Sequence, residues 1–110
     1  MGARKILVKD IRVIVSKLIK EYSPEKVILF GSLVDGKFGA DSDIDLLIIK
    51  KTEERFIDRW ASVKKILRGT HRSIPLDAFV LTPKEIEMRL SVGDQFIEEA
   101  LKGKVLYAQE

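Results

Sequence analysis

Two short apolar runs separated by a loop rich in small residues set the strongest limit on how this chain can fold. The first run, Val27 to Phe30, ends in Gly31-Ser32, and the second run, Leu46 to Ile49, directly follows Asp43-Ile44-Asp45. Apolar runs of this length that are bounded by turn residues indicate buried strands. We therefore expect a strand, a tight turn, a loop, and a second strand that begins with alternate carboxylates.

Asp43 and Asp45 are candidate ligands of a metal ion. Side chains two residues apart in a strand point to the same face, so the two carboxylates would share one face of an otherwise apolar strand. They repel each other, and burial raises the cost of their charge. A bound cation relieves both, and carboxylate oxygens suit Mg²⁺ or Mn²⁺. The alternative interpretation is a solvated start of a strand.

The Gly31-Ser32 pair is suited to holding a phosphate group. Glycine lets the main chain approach a phosphate closely, and Ser32 can cap a short helix over residues 32–36 whose free N–H groups attract an anion. With carboxylates following after ten residues, the pair predicts a site for a nucleoside triphosphate and its metal ions. Gly31 to Lys37 also reads G-x-x-x-x-G-K, but Phe38 stands where a Walker loop needs a hydroxyl, so we interpret that match as accidental.

Composition excludes several other classes of site. The chain has 110 residues, which predicts a single domain over residues 1–110. It has no cysteine and one histidine, His71, which excludes thiolate chemistry and histidine-rich zinc sites. No apolar run reaches transmembrane length and no signal-peptide pattern is present, so we expect a cytoplasmic protein that does not bind membranes. Its basic residues are scattered, which argues against direct binding of nucleic acid.

The rest of the chain predicts helices and further strands around the two apolar runs. We expect an α/β (α+β) fold in which a small mixed β-sheet is flanked by helices. Thr52 is a plausible N-cap and Gly69 a natural stop for a central helix, and Thr82-Pro83 with Glu85 forms a capping box. The other predicted elements are a helix over 4–22, a strand over 73–81, a helical face from Phe96 to Leu101, and a last strand over 104–107.

Asp77 is an acid inside the apolar strand that ends at Leu81. A buried carboxylate without a partner is costly, so it should be protonated, paired or bound to a metal. If this strand lies beside the second one, Asp77 can join Asp43 and Asp45 as a third ligand. The alternative interpretation is an acid at the edge of the strand that pairs with an arginine such as Arg72.

Together these residues resemble the signature of the polymerase-beta-like nucleotidyltransferases. The matching features are Gly31-Ser32, Asp43-x-Asp45 after ten residues, and a third acid, Asp77, on a later strand. The leading helix, the Thr82-Pro83 helix start and the terminal Gly-Lys-Val-Leu-Tyr segment extend the resemblance over most of the chain. The whole pattern is similar to the small stand-alone minimal nucleotidyltransferases, which implies the nucleotidyltransferase fold.

The resemblance implies transfer of a nucleoside monophosphate, AMP from ATP, to an acceptor hydroxyl with release of pyrophosphate. It implies that Gly31 and Ser32 hold the triphosphate and that Asp43 and Asp45 bind two Mg²⁺ ions. Asp77 would bind the catalytic ion and help to deprotonate the acceptor. This assignment agrees with the needs of phosphoryl transfer, in which two metals clamp the attacking and leaving oxygens.

The resemblance also implies a biological role. Many small members act as antitoxins beside a HEPN-domain ribonuclease, and some add AMP to a tyrosine of that toxin, so a HEPN-domain toxin is the expected partner, in a homo- or hetero-oligomer. Asp35 departs from the family, which often has arginine there, and an acid would oppose triphosphate binding. The alternative function is therefore a catalytically weak or inactive antitoxin that neutralises its partner by binding. A third hypothesis, a nucleic-acid-binding domain, rests only on the pI of about 9.2.

Overall fold

The structure is a computed structural model that describes residues 2–34, 43–70 and 74–109, with side chains described from residue 8 onward. None of the helices in these three segments is long and apolar enough to cross a membrane. The elements in chain order are α1 (Gly2–Glu21), β1 (Lys26–Phe30), β2 (Ile44–Ile49), α2 (Phe56–Ile66), β3 (Leu76–Leu81), α3 (Pro83–Ser91), α4 (Gln95–Leu101) and β4 (Lys104–Ala108).

The strands form one mixed sheet in the order β3-β2-β1-β4. β1 pairs antiparallel with both β2 and β4, whereas β2 and β3 are parallel and are joined through α2. Parallel neighbours need a crossover connection of this kind, because a tight turn can join only antiparallel strands. The predicted mixed sheet flanked by helices is confirmed, and β1 lies inside the sheet, as its apolar residues on both faces indicate.

The two faces of the sheet carry separate parts of the hydrophobic core. Alternate residues of a strand point to opposite faces, so Val27 and Leu29 pack with α1 and α2 while Ile28 packs with α4. The first cluster includes Ile14, Leu18, Leu46, Ile48, Val63 and Val80. The second includes Leu47, Leu81, Ile97 and Ala100, with Phe30, Phe79 and Leu101 packed against it.

The start of α3 is as predicted. The Glu85 N–H donates to Thr82 Oγ1 over 3.1 Å, and the Thr82 N–H donates to Glu85 Oε1 over 2.8 Å. Pro83 occupies the first turn, where its missing N–H costs nothing. This capping box is formed by residues close in sequence, so the local pattern was sufficient to predict it.

The predicted N-cap at Thr52 is wrong. α2 begins at Phe56, its N-cap residue is Arg55, and no side chain in the described part of the chain caps it. Thr52 Oγ1 instead accepts a hydrogen bond from the Glu54 N–H over 3.1 Å. The Glu54 carboxylate accepts hydrogen bonds from Tyr22 Oη and Ser62 Oγ, over 3.3 and 2.8 Å. These tertiary contacts hold the segment before α2 in a non-helical conformation.

β3 is shorter than predicted, since it begins at Leu76 instead of residue 73. Pro75 lies immediately before it and has no N–H to offer a neighbouring strand. The Pro75 carbonyl nevertheless accepts a hydrogen bond from the Ile44 N–H over 2.9 Å. Pro75 therefore marks the start of a strand at the margin of the sheet.

Candidate active site

The three candidate carboxylates meet at one end of the sheet. Asp43 immediately precedes β2, Asp45 is the second residue of β2, and Asp77 is the second residue of β3. In the parallel β2–β3 register, Asp45 lies directly beside Asp77. Paired residues of neighbouring strands place their side chains on the same face, so the condition under which Asp77 could join the other two acids is met. Asp77 is nevertheless exposed and not buried as its apolar neighbours suggested, because β3 is the marginal strand of the sheet.

The surroundings of Asp45 at this end of the sheet disfavour the ionised form of its carboxyl group. Burial raises its pKa, and the neighbouring carboxylates of Asp77 and Asp43 raise it further. Burial and like charge both disfavour the ionised form. The local arrangement therefore favours either a proton on Asp45 or a cation beside it.

Gly31 directly follows β1 and lies beside this carboxylate. Its φ angle is +86°, in the left-handed region that glycine adopts without strain. A Cβ atom built on Gly31 would lie 2.5 Å from Asp45 Oδ2, so a side chain here would displace the carboxylate. The absence of a side chain at Gly31 is therefore what lets the turn after β1 and the acids of β2 approach each other.

The turn itself is short and closed. The Val34 N–H donates to the Gly31 carbonyl over 3.0 Å, which gives one hydrogen-bonded turn where the sequence predicted a helix over 32–36. Ser32 is partly buried in this turn. Residues 35 and 36 lie outside the described part of the chain.

The residues fit Mg²⁺ as donors, although they do not form a closed set of ligands. Within the described segments, no group of three or more His, Asp or Glu side chains is placed to hold a metal ion. Mg²⁺ commonly takes only one or two carboxylates from the protein, with substrate phosphates and waters as its other ligands. Asp45 with a neighbouring acid meets that requirement, and a bound cation would also relieve the repulsion at Asp45.

Three phenylalanines lie on the same face of the sheet as Asp45 and Asp77. Phe30 is the register partner of Asp45, and Phe79 follows Asp77 by two residues. The ring of Phe96, from α4, packs edge-on against both, with centroid distances of 5.6 Å to Phe30 and 5.5 Å to Phe79. These rings form an apolar floor beside the acids.

These phenylalanines were not predicted from the sequence to lie at the site. They are far apart in the chain, and each has an ordinary explanation as a core residue of its own element. The alternation within the strands could have placed Phe30 and Phe79 on the face of the acids once the pairing of β1, β2 and β3 was known. Nothing in the local sequence could have brought Phe96 to them.

Two cavities flank the acids on opposite sides. One, of about 390 Å³, lies at β3 and is lined by Asp77, Ala78 and Phe79 together with Phe56, Ile57 and Trp60. The other, of about 170 Å³, lies at Gly31 and is lined partly by Phe30, Phe96 and Lys102. Because β2 separates β1 from β3, the first cavity lies on the Asp77 side of the site and the second on the Gly31 side.

The predicted site residues therefore fall into one region. Gly31, Asp45 and Asp77 lie close together, and Asp43 is close enough to raise the pKa of Asp45. Ser32 lies in the adjoining turn. The prediction that Asp35 opposes triphosphate binding and the Arg72 alternative for Asp77 both concern residues outside the described segments.

Comparisons with known proteins agree with this geometry. The family model described as polymerase beta, nucleotidyltransferase, matches residues 13–110. The crystal structure at 1.40 Å resolution of a candidate nucleotidyltransferase from Sulfolobus solfataricus is similar over 93% of this chain and 94% of that chain. The two have 26% sequence identity and a TM-score of 0.52. No curated protein is similar enough in sequence to count as a match. Because the matched segment includes the Gly31 turn, all three acids and every strand of the sheet, the chain belongs to the polymerase beta nucleotidyltransferase family.

Proposed function

We propose that this protein transfers AMP from ATP to an acceptor hydroxyl and releases pyrophosphate. The observation that carries the proposal is the contact between Gly31 and the Asp45 carboxylate, with Asp77 beside Asp45 in the sheet. This places a turn suited to phosphates next to carboxylates suited to a metal ion. Membership of the nucleotidyltransferase family supports the same class of reaction.

Each residue of the site has a separate role in the proposed reaction. The acceptor oxygen attacks the α-phosphorus, the bond from that phosphorus to the oxygen bridging to the β-phosphate breaks, and pyrophosphate leaves with the bonding electrons. Asp77 takes the hydroxyl proton, and Gly31 and Ser32 hold the triphosphate through main-chain N–H groups. Two Mg²⁺ ions held by Asp43, Asp45 and Asp77 would neutralise charge on the phosphates and on the attacking oxygen. The carboxylates and the turn thus supply positioning, which phosphoryl transfer chiefly needs.

We further propose that the acceptor is a tyrosine of a partner HEPN-domain toxin and that the protein acts as its antitoxin in the cytoplasm. The resemblance of the Gly31 to Asp45 segment and of the C-terminal segment to the minimal nucleotidyltransferases supports this acceptor. The modification would add a bulky, charged group to the toxin and block it without lasting contact between the two proteins.

The test uses ATP labelled at either the α- or the γ-phosphate, with Mg²⁺ and a HEPN-domain protein offered as the acceptor. We expect label from the α-position alone to appear on the partner, with one pyrophosphate released for each AMP added. The Asp43→Ala/Asp45→Ala variant should transfer nothing, and a tyrosine-to-phenylalanine partner should accept nothing. Transfer of the γ-label would contradict nucleotidyl transfer, and undiminished neutralisation by the variant would instead support an antitoxin that acts by contact.

A further inference from the structure

The cavity at β3 lies on the side of the site that faces away from the phosphate-binding turn. Across the sheet, Gly31 follows β1, Asp45 is on β2 and Asp77 is on β3. A triphosphate held at Gly31 therefore approaches the acids from the β1 side. The cavity, which Asp77 lines, opens on the opposite side. A group bound in it would meet Asp77 first.

The walls of this cavity are apolar and accessible. Phe56 and Ile57, at the start of α2, have exposed fractions of 52% and 69%. Of the described residues that line the cavity, Asp77 is the sole charged one, and it is an acid. A nucleic-acid acceptor would bring phosphates that need lysine or arginine, so charge complementarity favours an acceptor with an apolar body. A volume of about 390 Å³ lies within the range of ligand pockets and has room for one large side chain.

β3 is the marginal strand of the described sheet at this cavity. The Ile44 N–H donates to the Pro75 carbonyl and the Lys50 N–H donates to the Leu81 carbonyl, so odd-numbered residues of β3 turn their main-chain groups toward β2. Ala78 therefore turns its N–H and carbonyl away from β2, on the side of the cavity that it lines. An extended peptide can add to a sheet margin by such groups, with its alternate side chains in pockets.

Beyond Ala78, the outer edge of β3 is already covered by a side chain of α2. Arg59 of α2 is buried and donates from Nη1 to the Val80 carbonyl over 3.2 Å. The same guanidinium is fixed by the Glu85 carboxylate. An added strand is therefore limited to the half of β3 nearest Asp77, which directs a bound segment toward the acids.

We infer that the cavity formed by Phe56, Ile57, Trp60 and the Asp77–Val80 segment binds an extended polypeptide that presents a hydroxyl-bearing side chain to Asp77. The inference deepens the proposed function and rests on it for the role of Asp77. A peptide-docking surface can be tested by measuring binding alone, without any transfer reaction.

The test begins with a random library of short peptides displayed on phage and selected on the intact protein. We expect enrichment of peptides in which tyrosine, serine or threonine lies between apolar residues at alternate positions. Ile57→Lys brings a charge to the apolar wall at an exposed position and should weaken the selected peptides about tenfold or more. Val92→Lys is the matched control, because Val92 has an exposed fraction of 76% and lines neither described cavity.

Calorimetric titration of the same variants with Mg²⁺ and ATP separates the two proposals. Ile57→Lys should bind ATP as the wild type does. If it binds ATP more weakly, the cavity holds the nucleobase and the docking inference is overturned. No enrichment of peptides, equal binding to Ile57→Lys, or an oligothymidylate whose binding requires Ile57 would also overturn it. If the peptides require Ile57 while no variant binds ATP, the docking surface stands and the proposed transfer fails.

Discussion

Asp45 lies where β2 begins, partly buried and beside two other carboxylates. Its pKa is raised, first by burial and then by Asp77 and Asp43. A folded-state pKa above the unfolded value means that ionised Asp45 destabilises the fold. That destabilisation is fully present above the folded pKa and is relieved as the pH falls through it. The residue is thus kept at a cost to stability, as is common in active sites.

Asp45→Asn should therefore stabilise the protein in the absence of metal. At pH 7 we expect the melting temperature to rise by roughly 2 to 4 °C, which corresponds to about 0.5 kcal/mol for a domain of this size. The gain should shrink as the pH is lowered from 7 through the raised folded pKa of Asp45, since Asp45 in the wild type then takes up a proton. Circular dichroism melts across this pH range measure it.

Glu87→Gln is the control for Asp45→Asn, because Glu87 is an exposed acid on α3 away from the site. It should change the melting temperature by less than about 2 °C. Mg²⁺ should stabilise the wild type and not Asp45→Asn, since the proposed metal site of the folded state needs this carboxylate. A lower melting temperature for Asp45→Asn would show that the acid is held by favourable contacts and not under repulsion.

Gly31 and Gly69 offer a matched pair for the contact with Asp45. Their φ angles are +86° and +81°, so alanine at either position costs about 1 kcal/mol of backbone strain. The added Cβ meets nothing within 4 Å at Gly69, but at Gly31 it would lie 2.5 Å from Asp45 Oδ2. We expect Gly69→Ala to lower the free energy of unfolding by about 1 kcal/mol and Gly31→Ala by slightly more, because the Asp45 carboxylate can turn away from the added Cβ at a small cost.

The two glycine variants should also differ in ligand binding. Gly31→Ala moves the Asp45 carboxylate and should abolish Mg²⁺-dependent binding of ATP, while Gly69→Ala should retain it. Urea unfolding and calorimetric titration measure the two effects separately. Equal behaviour of both variants would mean that the Gly31–Asp45 contact has no part in the site.

At the scale of the secondary-structure elements, the Arg59 side chain links α2 to β3 and α3. It has an exposed fraction of 6% and donates two hydrogen bonds to the Glu85 carboxylate, over 2.6 and 3.2 Å. It also donates to the Glu54 and Val80 carbonyls. The Arg59 hydrogen bond is the main cause of the lowered pKa of Glu85. Stabilisation from this pair is present above the unfolded pKa of Glu85 and is lost as the pH falls through its lowered folded pKa.

Arg59→Met should destabilise the protein by about 2–3 kcal/mol, because it leaves buried carbonyls without donors and Glu85 without its partner. The loss should be largest near pH 7 and smaller at an acidic pH below the lowered folded pKa of Glu85, where the carboxyl group is protonated in both proteins. Arg55→Met is the control: Arg55 pairs with Asp58 on the surface, and such pairs contribute about 0–1 kcal/mol. Urea unfolding at the two pH values gives the comparison, and equal losses for the two variants would contradict it.

The sequence predicted the elements best where neighbouring residues determine the structure. The Thr82 capping box and the strand from Lys26 to Phe30 depend on local pattern, and both are present. The Thr52 N-cap failed because Tyr22 and Ser62, distant in the sequence, bind Glu54. Arg59 went unnoticed as a buried residue. It precedes the buried Val63 by one helical turn, and that position within the apolar stripe was the signal that could have found it.

At the scale of the whole molecule, the candidate site depends on the pairing of β2 with β3. The sequence alone did not predict this pairing, so the place of Asp77 in the site was conditional on it. Asp43 and Asp45 lie in one short segment, so strand geometry alone was enough to predict a shared face, although Asp43 lies just before β2. The position of Asp77 beside Asp45 required β3 to be parallel to β2 in one particular register. A shift of one residue would turn Asp77 to the opposite face. The same register also produces the apolar floor of phenylalanine rings and the cavity at β3, together with the packing of α4 and α2 against the sheet.

The central claim is that Gly31 and the three acids form a metal-dependent nucleotide site. Its most direct test is calorimetric titration of ATP into the wild type and the Asp43→Ala/Asp45→Ala variant, each with and without Mg²⁺. We predict binding to the wild type only when Mg²⁺ is present, and none to the variant under either condition. Equal binding by the wild type and the variant, or binding that does not require Mg²⁺, would contradict the account.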